Sequence, residues 1–362
     1  MPTPDSSWSL AFLALASVSV LPAAARPPVL QWRQLDPLPD PVGRKGMYAG
    51  TSNGHVLLAG GSNFPVPQRA GGRKTFHRAV YVRPSPLAVS DPWSVAANDL
   101  PVGLGEGAAV TTEHGVACLG GHDGVKPVSS AFLLVWDAAG RTVTRRALPE
   151  LPSACANAAS VYRHPWIYVA GGESTTGPLA TFWRLDLNRA LAGPATVSWE
   201  SLPPCPGRPR FGGIMMSVTT PAGVRLLFGG GLPGAAKSQE DYLRDAWLFD
   251  LAAGTWAATV ALPRGAVLAA ALSIDAARGL VLGGSDGHDF ARMKEQGDRY
   301  RIPADALLYD GSTNRWSRIG TMPLGVVGAA VVDLGGSWLV AGGEYSPGLR
   351  TPRTFQLSIR EP

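Results

Sequence analysis

The chain has little of what usually marks a chemical centre. Only three of its 362 residues are cysteine, Cys118, Cys155 and Cys205. They lie far apart, with no Cys-x-x-Cys and no clustered His/Cys spacing, so neither a structural zinc site nor a disulfide framework is expected. Isolated cysteines of this kind read as small core hydrophobes. Charged residues make up 16% of the chain, which argues against a helical, salt-bridge-laced architecture. The basic run from Arg69 to Arg78 lacks the interleaved aromatic platforms that single-stranded nucleic acid requires, so no nucleic-acid partner is expected. Long apolar runs are also scarce. One, Ala11 to Leu21, is too short to span a bilayer comfortably, and Ala23-Ala24-Ala25 follows it with the small residues of a cleavage site. Residues 1–25 therefore read as a signal peptide, giving an expected periplasmic or secreted protein with no membrane span after cleavage.

What is abundant is glycine and proline, 44 and 32 residues, the composition of a turn-rich all-β chain. The glycines are also periodic. A Gly-Gly pair closes an apolar run at Gly60-Gly61, Gly120-Gly121, Gly171-Gly172, Gly229-Gly230, Gly283-Gly284 and Gly342-Gly343. A spacing of about 50 to 60 residues fits one four-stranded propeller blade per repeat, hence six blades. After most pairs comes an apolar residue followed by Asp, at Trp136-Asp137, Leu185-Asp186, Phe249-Asp250 and Tyr309-Asp310, where a third strand should end. A Trp then opens the fourth strand (Trp93, Trp199, Trp256, Trp316), and Leu-Pro or Met-Pro follows. This pattern resembles the kelch repeat across residues 30 to 360. The expected fold is a single domain over residues 26–362, an all-β, six-bladed kelch-type β-propeller.

The two ends complete one blade. Trp32 to Leu35 followed by Leu38-Pro39 is a fourth strand with no first three before it, while the last repeat stops after its third. The N-terminal strand should therefore close the last blade from its outer edge, leaving no open array. The glycine pairs themselves are scaffold: each leads into a loop, with no helix whose N-terminus could receive a phosphate.

In a four-stranded meander, the turn between strands two and three and the connection to the next blade share one face. The connections bring Arg44, Lys45, Arg208, Arg210 and Arg264 to it; the loops bring, among others, Asn63, Lys74, Asp286, His288, Glu344 and Arg350. Cations outnumber carboxylates there, which suits an anionic ligand. Three loops on this face, residues 62–78, 231–244 and 285–303, are longer than a hairpin needs. Asp-Gly at Asp123-Gly124 and Asp286-Gly287 is ordinary turn chemistry rather than a metal cluster. Glu344 and Arg350, six residues apart across Pro347-Gly348, can meet in one pocket or simply fasten their turn as an ion pair.

The whole stretch Gly343-Glu344-Tyr345-Ser346-Pro347-Gly348-Leu349-Arg350-Thr351 resembles the Gly-Glu-x-x-Pro-Gly-Leu-Arg-Thr segment of the N-acetylneuraminate epimerases, bacterial six-bladed kelch mutarotases. Similar segments occur at Ala49 to Asn53, Ala59 to Gly61, Pro209-Arg210 and Gly328 to Val332. Here the Glu-bearing blade is last rather than central, which resembles a cyclically permuted branch, and the 285–303 loop departs from its counterpart in length and composition. The resemblance implies a small anionic sugar substrate, sialic acid, whose α and β anomers interconvert by ring opening, with no cofactor and no metal. It implies Glu344 as general acid/base and Arg350 as its partner at the sugar carboxylate; Arg44, Asn63, Arg208, Arg210, Asp286 and His288, on the same face, are the candidate substrate contacts. The competing reading is a non-catalytic exported kelch module that binds a glycan or a protein.

Overall fold

The computed structural model describes residues 28–361, apart from 89–90 and 194–196; the expected signal segment, 1–25, lies outside the described residues. Strand accounts for 45% of the chain and helix for 6%. Six four-stranded antiparallel sheets stand around a central channel as a six-bladed β-propeller. Their innermost strands are Tyr48–Ser52, Ala108–Thr112, Ala159–Arg163, Ile214–Thr220, Ala270–Ser273 and Ala330–Asp333. In the sixth blade the order from the channel outwards is Ala330–Asp333, Trp338–Ala341, Thr354–Arg360 and then Val29–Leu35. The N-terminal strand thus closes the last blade, pairing Val29 with Arg360 through to Leu35 with Thr354.

Each second strand is buried on both faces, and that explains its continuous apolar sequence. In His55–Ala59, Val56 and Leu58 pack with Ala330, Val332 and Leu339 of the sixth blade. Leu57 and Ala59, pointing the other way, pack with Val116, Cys118 and Phe132 of the second. The same division repeats around the ring, so the core is six inter-blade layers rather than one centre. All three cysteines are free and buried in these layers; burial pushes the Cys155 thiol up to about 12 and the Cys205 thiol to about 11, the behaviour of inert packing residues.

The secondary signals in the repeat also have physical counterparts. Where a third strand ends in Asp, that Asp accepts backbone N–H groups from the turn that follows: Asp137 from Ala139 and Gly140, Asp250 from Ala252 and Ala253, Asp310 from Ser312. In four blades the Trp at the fourth strand donates its indole N–H to a carbonyl of the preceding blade. Trp93 reaches Asp36 O at 3.1 Å, Trp199 Pro149 O at 2.9 Å, Trp256 Pro203 O at 2.8 Å and Trp316 Val260 O at 3.2 Å.

The glycine pairs lock neighbouring blades together. In every blade the second glycine donates its N–H across to a carbonyl in the next connection: Gly61 to Leu104, Gly121 to Cys155, Gly172 to Arg210, Gly231 to Ala266, Gly284 to Val326 and Gly343 to Arg44, at 2.7 to 3.1 Å. Both glycines of each pair have positive φ, and a Cβ on the first would strike that same carbonyl. In the fourth blade this pair is Gly230-Gly231, one residue later than the sequence placed it. Gly229 is the last residue of Gly223–Gly229, paired with Ala246, and its missing Cβ leaves room for the backbone of the adjacent third strand.

A matched pair of substitutions separates these effects. Gly171 and Gly54 share a left-handed φ of about +63° and +71°, but a Cβ at Gly171 lies 2.6 Å from Arg210 O whereas one at Gly54 meets nothing within 4 Å. Gly54→Ala is expected to cost about 1 kcal/mol of backbone strain, and Gly171→Ala about 3 kcal/mol because the blade junction must open. Urea unfolding of both variants checks this; equal losses would mean the junction carries no special weight.

Candidate functional site

Immediately before each innermost strand the chain makes a one-residue left-handed turn. The six residues there, Gly46, Glu106, Asn157, Gly212, Leu268 and Gly328, all have φ between +53° and +67°. They are hydrogen-bonded head to tail: Glu106 N–H to Gly46 O, Asn157 to Glu106, Gly212 to Asn157, Leu268 to Gly212, Gly328 to Leu268, and Gly46 back to Gly328, at 2.6 to 2.9 Å. This closed backbone ring frames the mouth of the channel on the face carrying the long loops. Just outside it, each blade pairs the preceding residue with the one after its glycine pair, bringing Ser62, His122, Glu173, Leu232, Ser285 and Glu344 to equivalent stations.

Left-handed φ suits Gly and is tolerated by Asn, but costs a Glu or a Leu about 1 kcal/mol or more. The two exceptions both have tasks for their side chains. Leu268 packs under the long loops, in contact with the clusters of Leu232, Tyr242 and Val267 and of Tyr300, Ile302 and Val327. Glu106 sends a buried carboxylate into the mouth, where Lys74 Nζ lies 2.5 Å from its Oε1 and Ser62 Oγ 3.5 Å.

From Glu106 a row of alternating charges runs across the rim. Lys45 acts on Glu106 and sits 4.0 Å, Nζ to Oε2, from Glu344. Glu344 forms a tight ion pair with Arg350 Nη1. The Pro-Gly turn sets that pair directly: Glu344–Ser346 and Leu349–Arg350 form a small antiparallel ladder with Glu344 opposite Arg350. Arg350 is 7% exposed, its guanidinium stands 5.1 Å over the Phe64 ring, and its Nε has no hydrogen-bond partner. The row Lys74, Glu106, Lys45, Glu344, Arg350 contains three cations and two carboxylates, an excess of one positive charge beside an unused buried donor. Together, these features suit a monoanion. Burial pushes the Glu106 carboxyl up, but Lys45, then Lys74 and His122, reverse the effect and hold it below the usual carboxylate range. Burial lowers the Arg350 guanidinium against the pull of Glu344 and Glu106, and it remains charged. The channel mouth beneath is a cavity of about 190 Å³ lined by Lys45, Met47, Glu106, Asn157 and Leu268 among others.

The structure brings Glu344 and Arg350 together and distributes the other sequence candidates elsewhere. Arg44 is buried below the first glycine pair: its Nε donates to Asp40 Oδ2 at 3.0 Å, its Nη1 to Gly60 O at 3.1 Å, and it stacks over Tyr81. Asn63 is 1% exposed, with Nδ2 donating to Asp40 and Gly43 O and Oδ1 accepting from His77. Arg210 holds Asp245 through two 2.7 Å bonds and caps Gly230 O. These three brace the glycine turns with their polar groups engaged inside the protein. Arg208 is exposed. Asp286 accepts from the backbone N–H of His288 and faces its Nδ1 at 2.7 Å, while the imidazole stacks on Tyr300. Glu173, which follows its glycine pair as Glu344 does, accepts from Asn157 Nδ2 at 2.8 Å and has no arginine across its short ladder. Among the described residues no group of three His, Cys, Asp or Glu could hold a metal.

Sequence reasoning missed Glu106. Its signal is that Gly105-Glu106-Gly107 puts a carboxylate at a station where three other blades have glycine. Because its carboxyl is held low, Glu106 contributes stability that is present above the ordinary carboxylate range, about pH 4, and is lost as the pH falls through its lowered value. The stability gap between wild type and Glu106→Gln is therefore expected to be wide at pH 7 and to close below about pH 4. Thermal melts across pH 3 to 8 test this, and a constant gap would mean the ionised form contributes nothing.

No family model matches the chain. Curated relatives do. The chain is 30% identical over 234 residues to a Yersinia pestis (strain Pestoides F) protein named N-acetylneuraminate epimerase, covering 58% of this chain and 56% of the relative. It is 35% identical over 129 residues to the Vibrio cholerae protein of the same name, 31% and 32% of the two chains. Against the Pasteurella multocida one it is 33% identical over 131 residues, 31% and 33%. The chain thus spans little more than half the length of the curated relatives it matches, and across that part the similarity to N-acetylneuraminate epimerases read from its sequence is borne out.

Proposed function

We propose that this protein accelerates the exchange of the α and β anomers of N-acetylneuraminate by acid/base ring opening. The observation that carries the reading is the ion pair of half-buried Glu344 with buried Arg350 within a charge row that is one anion short. Glu344 serves as the base that takes the proton of the anomeric hydroxyl and as the acid that returns it. Arg350, ion-paired with Glu344 and with neither Nε nor Nη1 in a hydrogen bond, is the guanidinium that pairs with the sugar carboxylate, the planar recognition for which it is suited. The relatives named N-acetylneuraminate epimerase support a sugar substrate. A single positioned acid/base is worth roughly 10²- to 10⁴-fold, and the chemistry assigned here draws on no cofactor.

Three further parts of the reading belong with this proposal. The chain is a cyclic permutation of the commoner kelch arrangement. A ring has no intrinsic first blade, so moving the chain ends leaves the site intact, and a permuted order would limit any one collinear alignment to part of each chain. The first 25 residues act as an export signal, placing the enzyme in the periplasm or outside the cell. There it meets freshly released sugar.

Proton NMR of freshly released α-N-acetylneuraminate, following the axial and equatorial C3 protons, tests the function. The α signal should collapse faster with protein, and Glu344→Gln should abolish the acceleration while binding of the sugar stays detectable. Binding without any rate effect in the wild type would instead identify a non-catalytic sugar-binding module, and full activity in Glu344→Gln would remove Glu344 from the chemistry.

A further inference from the structure

Ring opening moves two protons: one leaves the anomeric hydroxyl and one arrives at the ring oxygen. Two cations face Glu344, Arg350 in its ion pair and Lys45 at 4.0 Å. Arg350 holds its protons too tightly to deliver one. Lys45 can, and its placement is built in. Its stem lies across Gly328, where a Cβ would come within 2.7 Å of Lys45 Cγ and 3.0 Å of Cε. The Lys45 backbone is fixed by reciprocal bonds with Ser62, N–H to O at 3.0 Å and O from N–H at 2.9 Å. Glu106, strained into left-handed backbone, supplies the opposing carboxylate, itself shared with Lys74 and close to His122. The 4.0 Å between Lys45 Nζ and Glu344 Oε2 is too long for a direct hydrogen bond. The gap leaves room for the two oxygens on the anomeric carbon, the hydroxyl donating to the carboxylate and the ring oxygen accepting from the ammonium.

We propose that Lys45 is the second proton-transfer group of this site, working opposite Glu344 and held in position by Glu106 and Gly328. The inference rests on the mutarotase reading. In the opening step the Glu344 carboxylate takes the proton of the anomeric hydroxyl, and the O–H electron pair becomes the second bond of a carbonyl at C2. The bond from C2 to the ring oxygen breaks, its electron pair stays on that oxygen, and the oxygen takes a proton from Lys45 Nζ. After rotation about C2–C3 the new hydroxyl adds to the other face of the carbonyl. Its proton returns to Lys45, and the former carbonyl oxygen takes back the proton from Glu344. Both groups end as they began.

The test compares Lys45→Arg, Lys45→Met and Lys45→Ala with wild type in the same NMR assay, with sugar binding and melting temperature measured for each. Lys45→Arg keeps the positive charge but cannot release a proton. It and Lys45→Met should lose about 100-fold or more in kcat with KM changed far less. Lys45→Ala should regain rate with added ethylamine and not with guanidinium at the same concentration, a response that a purely structural lysine would not give. Lys45→Arg within a few-fold of wild-type kcat, or no amine rescue of a folded Lys45→Ala, overturns the role of Lys45 and leaves the function of the protein standing. Absence of acceleration by the wild type overturns the mutarotase reading, and the role of Lys45 with it.

Discussion

The hydrogen bond from the second glycine of each pair to a carbonyl of the next blade is the constraint on which everything else depends. It is made six times, the sixth from Gly343 to Arg44 across the junction of the two chain ends. Each bond is worth about 1 kcal/mol net, but its geometry does more than its energy. It fixes the distance and angle between neighbouring blades, so that the apolar faces of the second strands meet in six separate layers. It also requires a chain without a Cβ at the crossing, and the period of the sequence therefore appears in its glycines. Arg44, Arg210 and Arg264 reinforce the same turns by donating to the carbonyls of Gly60, Gly230 and Gly283.

Inside that frame, the ring of left-handed residues holds the mouth of the channel rigid, and the two residues for which that conformation is costly mark the functional face. Leu268 anchors the long loops. Glu106 supplies a carboxylate that organises Lys45 and Lys74. Burying Glu106 and Arg350, with Lys45 and Glu344 partly buried beside them, is expensive unless the charges compensate one another. Here alternation provides most of the compensation, and the one surplus cation is left for a ligand to neutralise. The arrangement favours a small monoanion because a neutral molecule would not relieve that surplus.

Much of this was legible in the chain. The blade count, the closure by residues 29–35 and the meeting of Glu344 with Arg350 all follow from local patterns: a glycine period, an orphan fourth strand, a Pro-Gly turn six residues wide. The fourth glycine pair was read one position early because three glycines stand in a row, and only strand pairing shows that Gly229 belongs to the ladder. Arg44, Asn63 and Arg210 looked available because they lie beside the site in sequence and on the same face. Asp40 lies only four residues before Arg44, but Asp245 and the glycine carbonyls come from other turns, and Asn63 reaches Asp40 across 23 residues, so most of these pairings leave no linear pattern. Glu106 was overlooked because a lone carboxylate between two glycines carries no local sign of the Lys45 and Lys74 it meets in the ring.

The sequence by itself determined the repeat, the ring and which blade bears the Glu-Arg hairpin, since backbone requirements such as positive φ, absent Cβ and strand alternation are local and leave their mark residue by residue. Only the tertiary structure decided which charges are shared and which are free. Lys74, Glu106, Lys45 and Glu344 come from four different loops, separated in the chain by up to the length of the whole propeller. Electrostatic pairing acts through space, and the order of residues along a chain does not state which of them a closed ring will place side by side.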